Sequence, residues 1–230
     1  MENWPDITVL VATYNRLEIL ATTLIELNHH LNYAGVIRYL ICDDSEDFVP
    51  VAVLVARQVF SDRIRFVHTT GRQGLGANVN NGLKHLETEI VLQTQDDYQP
   101  VKTVELNAHV QRLLTNSRPA WIRLRHIVNH RFHARLEGEY WQVDLTGSPE
   151  LYIFSDQPHI KLKGVHESLG MYPEGLKVGE TENAWCNQAN HAMLRDSAPI
   201  DYLIPVKADL EGTWAHVANG PELSWKDRGL

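Results

Sequence analysis

Two adjacent aspartates, Asp96 and Asp97, are the residues of this chain whose types and spacing best suit chemistry. The apolar run 90–92 before them predicts a buried strand, and Pro100 ends the polar turn after them. Neighbouring carboxylates repel unless a cation lies beside them, and hard oxygen ligands of this kind suit Mg²⁺ or Mn²⁺ carrying a phosphate group. An aspartate ahead of a proline-led helix is also a good N-cap, so metal binding and helix capping are both open.

A second acidic pair, Glu180 and Glu182, follows Gly179 where the spacing of apolar residues begins to predict a helix. The helix dipole stabilises carboxylates in a first turn whatever their use, so capping is one interpretation. The other is general-base catalysis, in which a carboxylate within hydrogen-bond reach takes the proton of a hydroxyl nucleophile. Burial beside a substrate raises the pKa of such a carboxylate towards a useful range.

The elements that must position these acids alternate between strand and helix over the first half of the chain. The pattern predicts a mostly parallel α/β sheet with right-handed crossovers, whose central strands are covered on both faces. The carboxyl ends of such strands form the ligand-binding edge, which is where Asp96 and Asp97 fall. Strands are predicted at 7–13, 37–42, 64–68 and 90–92, and helices begin near Leu17, Asp47 and Gly74, the second of them reaching about Phe60.

Two loops between these elements carry further signals. Asn15 precedes the first helical pattern and is predicted to cap it. Gly74 and Gly76 lie at the mouth of another helix, where glycine lets the backbone approach a ligand and the helix N-terminus favours an anion. A tight turn is the other interpretation of that glycine pair.

Composition describes an ordinary globular protein of 230 residues, long enough to bury a sizeable core. No apolar run has the length of a membrane span and no secretory signal is seen, so a cytoplasmic location is expected. The 29 acidic residues exceed the 21 basic ones, which makes a nucleic-acid partner unlikely. Cys42 and Cys186 lack a second pair nearby and are predicted to be buried thiols.

The first half of the chain resembles the inverting nucleotide-sugar glycosyltransferases of the GT-A fold, the large family 2 type. The residues that carry the resemblance are Val-Ala-Thr-Tyr-Asn-Arg (11–16), Cys-Asp-Asp-Ser (42–45), Gly-Leu-Gly-Ala-Asn-Val-Asn-Asn-Gly-Leu (74–83) and Gln-Thr-Gln-Asp-Asp (93–97). One departure concerns the acidic motif, where Gln93 and Gln95 replace acids that the family usually has. Fewer charged ligands weaken the binding of a free ion, so we expect metal and nucleotide to bind together.

The resemblance implies a single GT-A catalytic domain over 1–230, a Rossmann-like nucleotide-diphospho-sugar transferase fold. Its half 1–100 is expected to bind the nucleotide sugar, and its half 101–230 to bind the acceptor and supply the base. It implies a divalent metal, Mn²⁺ or Mg²⁺, held by Asp97, Asp96 and the late His216. The residues implied for the nucleotide sugar are Thr13, Tyr14, Arg16, Asp43, Asp44, Arg72, Gly74, Asn80, Gln95 and Asp96.

For those residues the resemblance also implies roles. Thr13, Tyr14 and Arg16 correspond to the turn that holds base and ribose, and Asp44, beside Asp43, to the acid that reads an imide N–H. Arg72 and Asn80 are expected to face the base or diphosphate across the glycine loop. The general base is expected at Glu182, with Glu180 as the alternative.

The second half of the chain is less regular. A helix is predicted over 101–115, a strand over 121–125 and a hairpin over 132–144, whose arginines fit either a solvated face or an acceptor-binding lobe. His159 and Lys161 precede the acidic helix and are candidate contacts to acceptor or phosphate. The tail 221–230 is a candidate lid over the site.

The leading hypothesis is therefore a metal-dependent inverting glycosyltransferase that moves a sugar from a UDP-sugar to a hydroxyl acceptor. A nucleotidyltransferase that makes activated sugars is one alternative, although the turn 13–16 has no glycine of the kind such enzymes carry there. A non-catalytic module that binds a nucleotide or glycan is the other, and Gln93 and Gln95 keep that alternative open. The acceptor is not encoded in any motif of the chain.

Overall fold

The structure is a computed structural model that describes residues 3–45, 60–125, 133–144, 154–195, 200–206 and 212–217. The helix predicted to begin at Asp47 lies outside these residues except for Phe60, and the candidate lid 221–230 lies outside them entirely. None of the described helices combines the length and apolar character that crossing a bilayer needs.

The described residues form thirteen strands and five α-helices, with one 3-10 turn at Ser61–Arg63. In chain order the strands are β1 Ile7–Thr13, β2 Leu31–Asn32, β3 Ile37–Asp43, β4 Ile64–His68, β5 Ile90–Gln95, β6 Tyr98–Pro100, β7 Val104–Glu105, β8 Ala120–Arg123, β9 His133–Glu137, β10 Tyr140–Asp144, β11 His159–Leu162, β12 Asp201–Pro205 and β13 Trp214–His216. The helices are α1 Leu17–His30, α2 Gly74–Lys84, α3 Leu106–Thr115, α4 Val165–Leu169 and α5 Val178–Arg195.

Nine strands make one sheet in the order β4-β3-β1-β5-β11-β8-β12-β10-β9. The predicted α/β sheet is confirmed, and its first four strands pair in parallel as the alternation of strands and helices required. β11 then runs antiparallel to both β5 and β8, and so joins the two halves of the chain in one sheet. The register sets Thr13 opposite Asp43 and Ala12 opposite Gln95, which gathers the predicted site residues at one edge.

Strand β1 lies inside the sheet between β3 and β5 and is buried on both faces. Val9 and Val11 point into a core that α1 and α3 cover, whereas Leu10 and Ala12 point into a second core that α2 and α5 cover. Successive side chains of a strand alternate between faces, which explains why nearly every position of β1 is apolar. The free thiols of Cys42 and Cys186 lie in the second core, as predicted, and burial raises the pKa of both.

Two local predictions were wrong. The helix expected over 101–115 begins only at Leu106, because Tyr98–Pro100 pairs with β13 and the short strand β7 pairs with β2. Asn15 does not cap α1: it adopts a left-handed φ of 50°, and its backbone N–H donates to the Ser45 hydroxyl at 2.8 Å. Asparagine tolerates that conformation better than most residues, so its role is to turn the chain.

The two glycines at the mouth of α2 serve different purposes. Gly74 has a φ of 86°, in the region that glycine adopts without strain. A Cβ atom at Gly76 would lie 2.0 Å from the carbonyl oxygen of Pro173, so this glycine lets α2 pack directly against the chain before α5. The close approach at Gly76 is thus to protein backbone.

We expect Gly76→Ala to destabilise the fold by about 2 kcal/mol or more, because the new methyl group must push backbone aside. The matched control is Gly179→Ala, since nothing lies within 4 Å of a Cβ built at Gly179. That control is expected to change stability by less than about 0.5 kcal/mol. Urea unfolding followed by circular dichroism measures both, and equal midpoints for the two variants would contradict the packing role.

Candidate active site

The acid motif, Asp96 and Asp97, lies at the carboxyl end of β5, directly beside the end of β1. The backbone N–H of Asp96 donates to the Ala12 carbonyl at 3.1 Å. Its Oδ2 accepts a hydrogen bond from the Thr13 hydroxyl at 2.6 Å, and its Oδ1 accepts one from Arg16 Nη1 at 3.2 Å. Asp96 is therefore held by the strand end and the following turn.

The neighbouring carboxylate, Asp97, faces a different set of partners. Its Oδ2 accepts from Arg16 Nη1 at 2.7 Å and lies 3.4 Å from His216 Nε2. The imidazole of His216 stacks on Tyr98 with ring centroids 4.8 Å apart, and the Val217 N–H donates to the Asp97 carbonyl at 2.7 Å. The pairing of β13 with β6 thus brings the late histidine to the acid motif.

Electrostatics separates the two aspartates. Burial raises the pKa of Asp96 to about 6, against the hydrogen bond from Thr13 and the charge of Arg16. Burial also acts to raise the pKa of Asp97, but His216 and Arg16 outweigh it and hold that pKa below its ordinary value. For Arg16, burial acts to lower the pKa, and the two carboxylates reverse the effect and raise it. Asp97 is therefore the more firmly anionic of the pair.

The donor set around Asp97 fits a divalent cation. Asp97 Oδ1 is buried and has no hydrogen-bond partner among the described residues, so one hard oxygen ligand is free. The Nε2 of His216 lies near the other oxygen of the same carboxylate. No group of three or more His, Cys, Asp or Glu side chains within the described residues would hold a metal unaided. An ion at Asp97 would need further ligands from a substrate or from water.

The second acidic pair divides into one exposed and one half-buried residue. Glu180 is exposed and accepts a hydrogen bond from the Lys177 N–H at 3.3 Å, which is the capping role that a first-turn carboxylate has. Glu182 is half-buried, and its Oε1 accepts from the Asp156 N–H at 3.1 Å. Burial raises the pKa of the Tyr98 hydroxyl to about 12, and the charges of Asp97 and Glu182 both add to that rise. The charge of each carboxylate therefore acts on the same tyrosine.

The acidic pair at the end of β3 organises the glycine loop. Asp44 accepts hydrogen bonds from the backbone N–H groups of Gln73 and Gly74, at 2.8 and 2.7 Å, and is buried. Asp43 is half-buried and accepts from the Ser45 N–H at 2.9 Å and from the Ser45 hydroxyl. Asp44 thus holds the loop in place, while Asp43 keeps more of its surface accessible.

Two side chains form the outer wall beside this loop. The guanidinium of Arg72 lies over the ring of Tyr14, 5.0 Å from its centroid, a geometry that favours cation–π attraction. Arg72 is exposed and Tyr14 half-buried. Gln95, at the end of β5, is half-buried as well. This wall contrasts with the acid motif, where Asp96 and Asp97 are buried.

The sequence profile described as "Glycosyl transferase family 2" matches residues 8–165, which is more than half of the chain. The chain belongs to glycosyl transferase family 2. The resemblance in the four motifs is thereby confirmed, and with it the prediction of a glycosyltransferase. No curated protein matches this family 2 chain closely enough to count as a relative.

Solved glycosyltransferases share the fold of this family 2 chain. TarS from S. aureus, in complex with UDP-GlcNAc, superposes with a TM-score of 0.60 at 19% identity, over 88% of this chain and 58% of TarS. The mannosyltransferase PcManGT from Pyrobaculum calidifontis, in complex with GDP-Man and Mn²⁺, gives 0.60 at 17% identity, over 96% and 61%. GalNAc-T7 with UDP, GalNAc and Mn²⁺ gives 0.64 at 10% identity, over 90% and 43%. The chain thus spans less than two thirds of each structure, and at such identities the likeness establishes the fold alone.

Several residues expected to touch ligands are inside the family 2 fold instead. His159 is fully buried, stacks on Trp121 with centroids 3.7 Å apart, and burial lowers its pKa far below the ordinary value. Lys161 is also fully buried, 4.2 Å from the Trp121 ring centroid. The two candidate contacts to acceptor or phosphate, His159 and Lys161, therefore lie in the interior of this structure. Asn80 is buried too, and its amide donates to the Tyr172 carbonyl and to Glu174 Oε1 and accepts from the Tyr172 N–H.

A buried polar network behind Glu182 was not predicted. Lys161 Nζ donates to Gln93 Oε1 at 2.9 Å, and Gln93 Nε2 donates to the Tyr172 hydroxyl at 2.9 Å and to Asp156 Oδ1 at 3.1 Å. The Tyr172 hydroxyl completes the network with a 2.7 Å hydrogen bond to Asp156 Oδ1. Position 93 must accept one hydrogen bond and donate others, which an amide does and an ionised carboxylate does not. This explains the glutamine where the family usually has an acid.

The network places the buried Asp156 next to Glu182. Burial, with the charge of Glu182 added, raises the pKa of Asp156 to about 7. Burial lowers the pKa of Lys161 far below its ordinary value, although Asp156 opposes that change. The backbone N–H of the same Asp156 holds Glu182, so the network fixes the loop that positions this glutamate. In the sequence Asp156 is a polar residue in a predicted loop, so nothing there indicated its contact with Glu182.

Proposed function

We propose that this family 2 protein is a metal-dependent, inverting glycosyltransferase that uses a nucleotide-diphosphate sugar as donor. The observation that carries the proposal is the acid motif at the carboxyl end of β5, where the Asp97 carboxylate lies beside Arg16 and His216. Asp97 has a free buried oxygen and a histidine beside it, as a cation ligand requires. Glu182 is half-buried and is held by the Asp156 N–H at 3.1 Å, as a positioned base requires.

The donor is proposed to lie along the ends of β1, β3 and β5. The solved neighbours that share the fold hold UDP-GlcNAc, GDP-Man or UDP, which supports a nucleotide sugar as donor. We favour a UDP-sugar, with the planar base against Tyr14 and Arg72 and its imide N–H donated to the more accessible acid, Asp43. Asp44 then acts through the loop that its carboxylate holds.

A divalent cation, Mn²⁺ or Mg²⁺, is proposed to bind Asp97 and His216, with Asp96 behind them. Two of the neighbouring structures contain Mn²⁺, which supports this choice. When bound, such an ion offsets the negative charge that develops on the leaving diphosphate. Because the described residues provide so few ligands, the diphosphate oxygens are needed to complete its coordination.

The proposed reaction assigns different roles to the two carboxylates. The acceptor hydroxyl oxygen attacks the anomeric carbon while its proton passes to Glu182. The bond from that carbon to the diphosphate oxygen breaks, and the nucleoside diphosphate leaves with the electron pair. One displacement on the side opposite the leaving group inverts the anomeric configuration.

The proposal is tested with the purified protein, a panel of UDP- and GDP-sugars, and either Mn²⁺ or a chelator. We expect slow hydrolysis of one donor to nucleoside diphosphate and free sugar, faster with Mn²⁺, and proton NMR should show that the anomer formed first is inverted. Turnover that requires pyrophosphate would favour a nucleotidyltransferase instead. Binding of nucleotide sugars without any turnover, even with simple sugars offered as acceptors, would favour a binding module.

A further inference from the structure

Arg16 connects the nucleotide-binding turn to the acid motif. Its Nη1 lies 3.2 Å from Asp96 Oδ1 and 2.7 Å from Asp97 Oδ2, so one guanidinium nitrogen bridges both carboxylates. Arg16 itself stands at the start of α1, directly after the left-handed turn at Asn15. The acid motif therefore has a cation of its own within the protein.

That cation pairs with an oxygen that a metal ion at Asp97 would also use. Asp97 Oδ2 is one of only two oxygens that Asp97 can offer, and Arg16 holds it while Oδ1 stays free. A positive charge within about 4 Å of a bound divalent ion is strongly unfavourable in a partly buried site. The Arg16 side chain is 27% exposed and that of Asp97 9% exposed, so water screens this pair only in part. The ion pair and a metal thus compete for Asp97.

We propose that Arg16 makes metal binding conditional on the nucleotide, so that the protein selects the metal–diphosphate complex over the free ion. This inference rests on the proposed function, because it assumes that a diphosphate arrives at Asp97. The incoming diphosphate gives the guanidinium a new anionic partner, which its planar donors fit well. Arg16 then leaves Asp97 Oδ2 to the metal, while Asp96 keeps the hydrogen bond from the Thr13 hydroxyl.

The proposal predicts that removing Arg16 changes the affinities for Mn²⁺ alone and for UDP in opposite directions. Removing Arg16 removes the competitor, so Mn²⁺ alone should bind more tightly. The same change removes a partner of the diphosphate, so UDP should bind more weakly even with Mn²⁺ present. A residue that only supported the fold would weaken both. By linkage, UDP and Mn²⁺ must strengthen each other's binding by the same factor in the wild-type protein.

The test is calorimetric titration of Mn²⁺ into the wild-type protein and into Arg16→Ala, each with and without saturating UDP. We expect UDP to strengthen Mn²⁺ binding to the wild type about tenfold or more, and Arg16→Ala to bind Mn²⁺ alone about tenfold more tightly than the wild type. In that variant UDP is expected to strengthen Mn²⁺ binding by a smaller factor than in the wild type, because the diphosphate still supplies oxygen ligands but no longer displaces a competing charge. Arg16→Gln, which keeps side-chain length without the charge, should reproduce the pattern.

The matched control is Arg38→Ala. Arg38 is also paired with an aspartate at 2.7 Å, here Asp6, but at the opposite ends of β1 and β3. The Arg38→Ala variant should bind Mn²⁺ and UDP with the same affinities as the wild type. If Mn²⁺ binds the wild type equally well with and without UDP, the inference about Arg16 is overturned while the metal site stands. If Mn²⁺ binds none of these proteins even with UDP, the proposed function itself fails.

Discussion

Glu182→Gln is expected to lower kcat for sugar transfer about a thousandfold, with little change in the affinity for UDP. A general base contributes about 10²- to 10⁴-fold, and glutamine cannot accept the acceptor's proton. The substitution keeps the shape of the side chain, and its amide oxygen can still accept the 3.1 Å hydrogen bond from the Asp156 N–H. Steady-state kinetics with the donor found for the wild type gives kcat, and calorimetry gives UDP affinity.

Glu180→Gln is the matched control for that prediction. Glu180 lies two residues earlier in the same helix, but it is exposed and accepts only from the Lys177 N–H at the helix start among its described contacts. We expect kcat within about threefold of the wild type, because a first-turn cap affects stability more than chemistry. The opposite pattern, with activity lost in Glu180→Gln and kept in Glu182→Gln, would assign the base to Glu180.

The fold was largely readable from the sequence because its central strands lie between two cores. A strand buried on both faces must be apolar at successive positions, and β1 shows such a run without alternation. The carboxyl ends of parallel strands share one edge of a sheet, so the polar residues after β1, β3 and β5 were predictable as neighbours. The approach of His216 was suggested only by the family resemblance.

The network behind Glu182 could not be predicted in the same way. Gln93, Asp156, Lys161 and Tyr172 come from distant segments, and their contacts depend on β11 pairing antiparallel with β5, which sets His159 opposite Gln93. The sequence signals for β11 and for a surface loop are alike, because both mix polar and apolar residues. The sequence therefore could not distinguish the buried Lys161 from an exposed lysine.

The turn after β1 illustrates a second limit. Its motif indicated that Thr13, Tyr14 and Arg16 belong to the nucleotide site, but nothing in the sequence tells where a long side chain points. In the structure the Thr13 hydroxyl and the Arg16 guanidinium both lie on the acid motif. Tyr14 alone of the three faces Arg72 and the glycine loop. Side-chain direction within a turn depends on tertiary charge pairing, which local sequence does not encode.

The second large effect is expected for Asp97→Asn, which should lower kcat/KM about a thousandfold and abolish stimulation by Mn²⁺. Chelation should lower the activity of the wild type by a similar factor but leave the activity of the variant unchanged. Both treatments remove the same contribution, the rate enhancement that the bound metal supplies. If chelation lowered the activity of both proteins equally, Asp97 would not be a metal ligand.

A control must separate this effect from simple damage to a buried acid. Asp201 is a buried aspartate as well, 6% exposed, and its two oxygens accept from Gln142 at 2.7 Å and Asn116 at 2.8 Å at the amino end of β12. Asp201→Asn should lower the unfolding midpoint, since its new amide meets amide donors, yet keep Mn²⁺ stimulation. Asp97→Asn should also lower the midpoint, because Arg16 loses an ion pair, but unlike Asp201→Asn it should lose Mn²⁺ stimulation. Loss of Mn²⁺ stimulation in both variants would mean that destabilisation alone explains it.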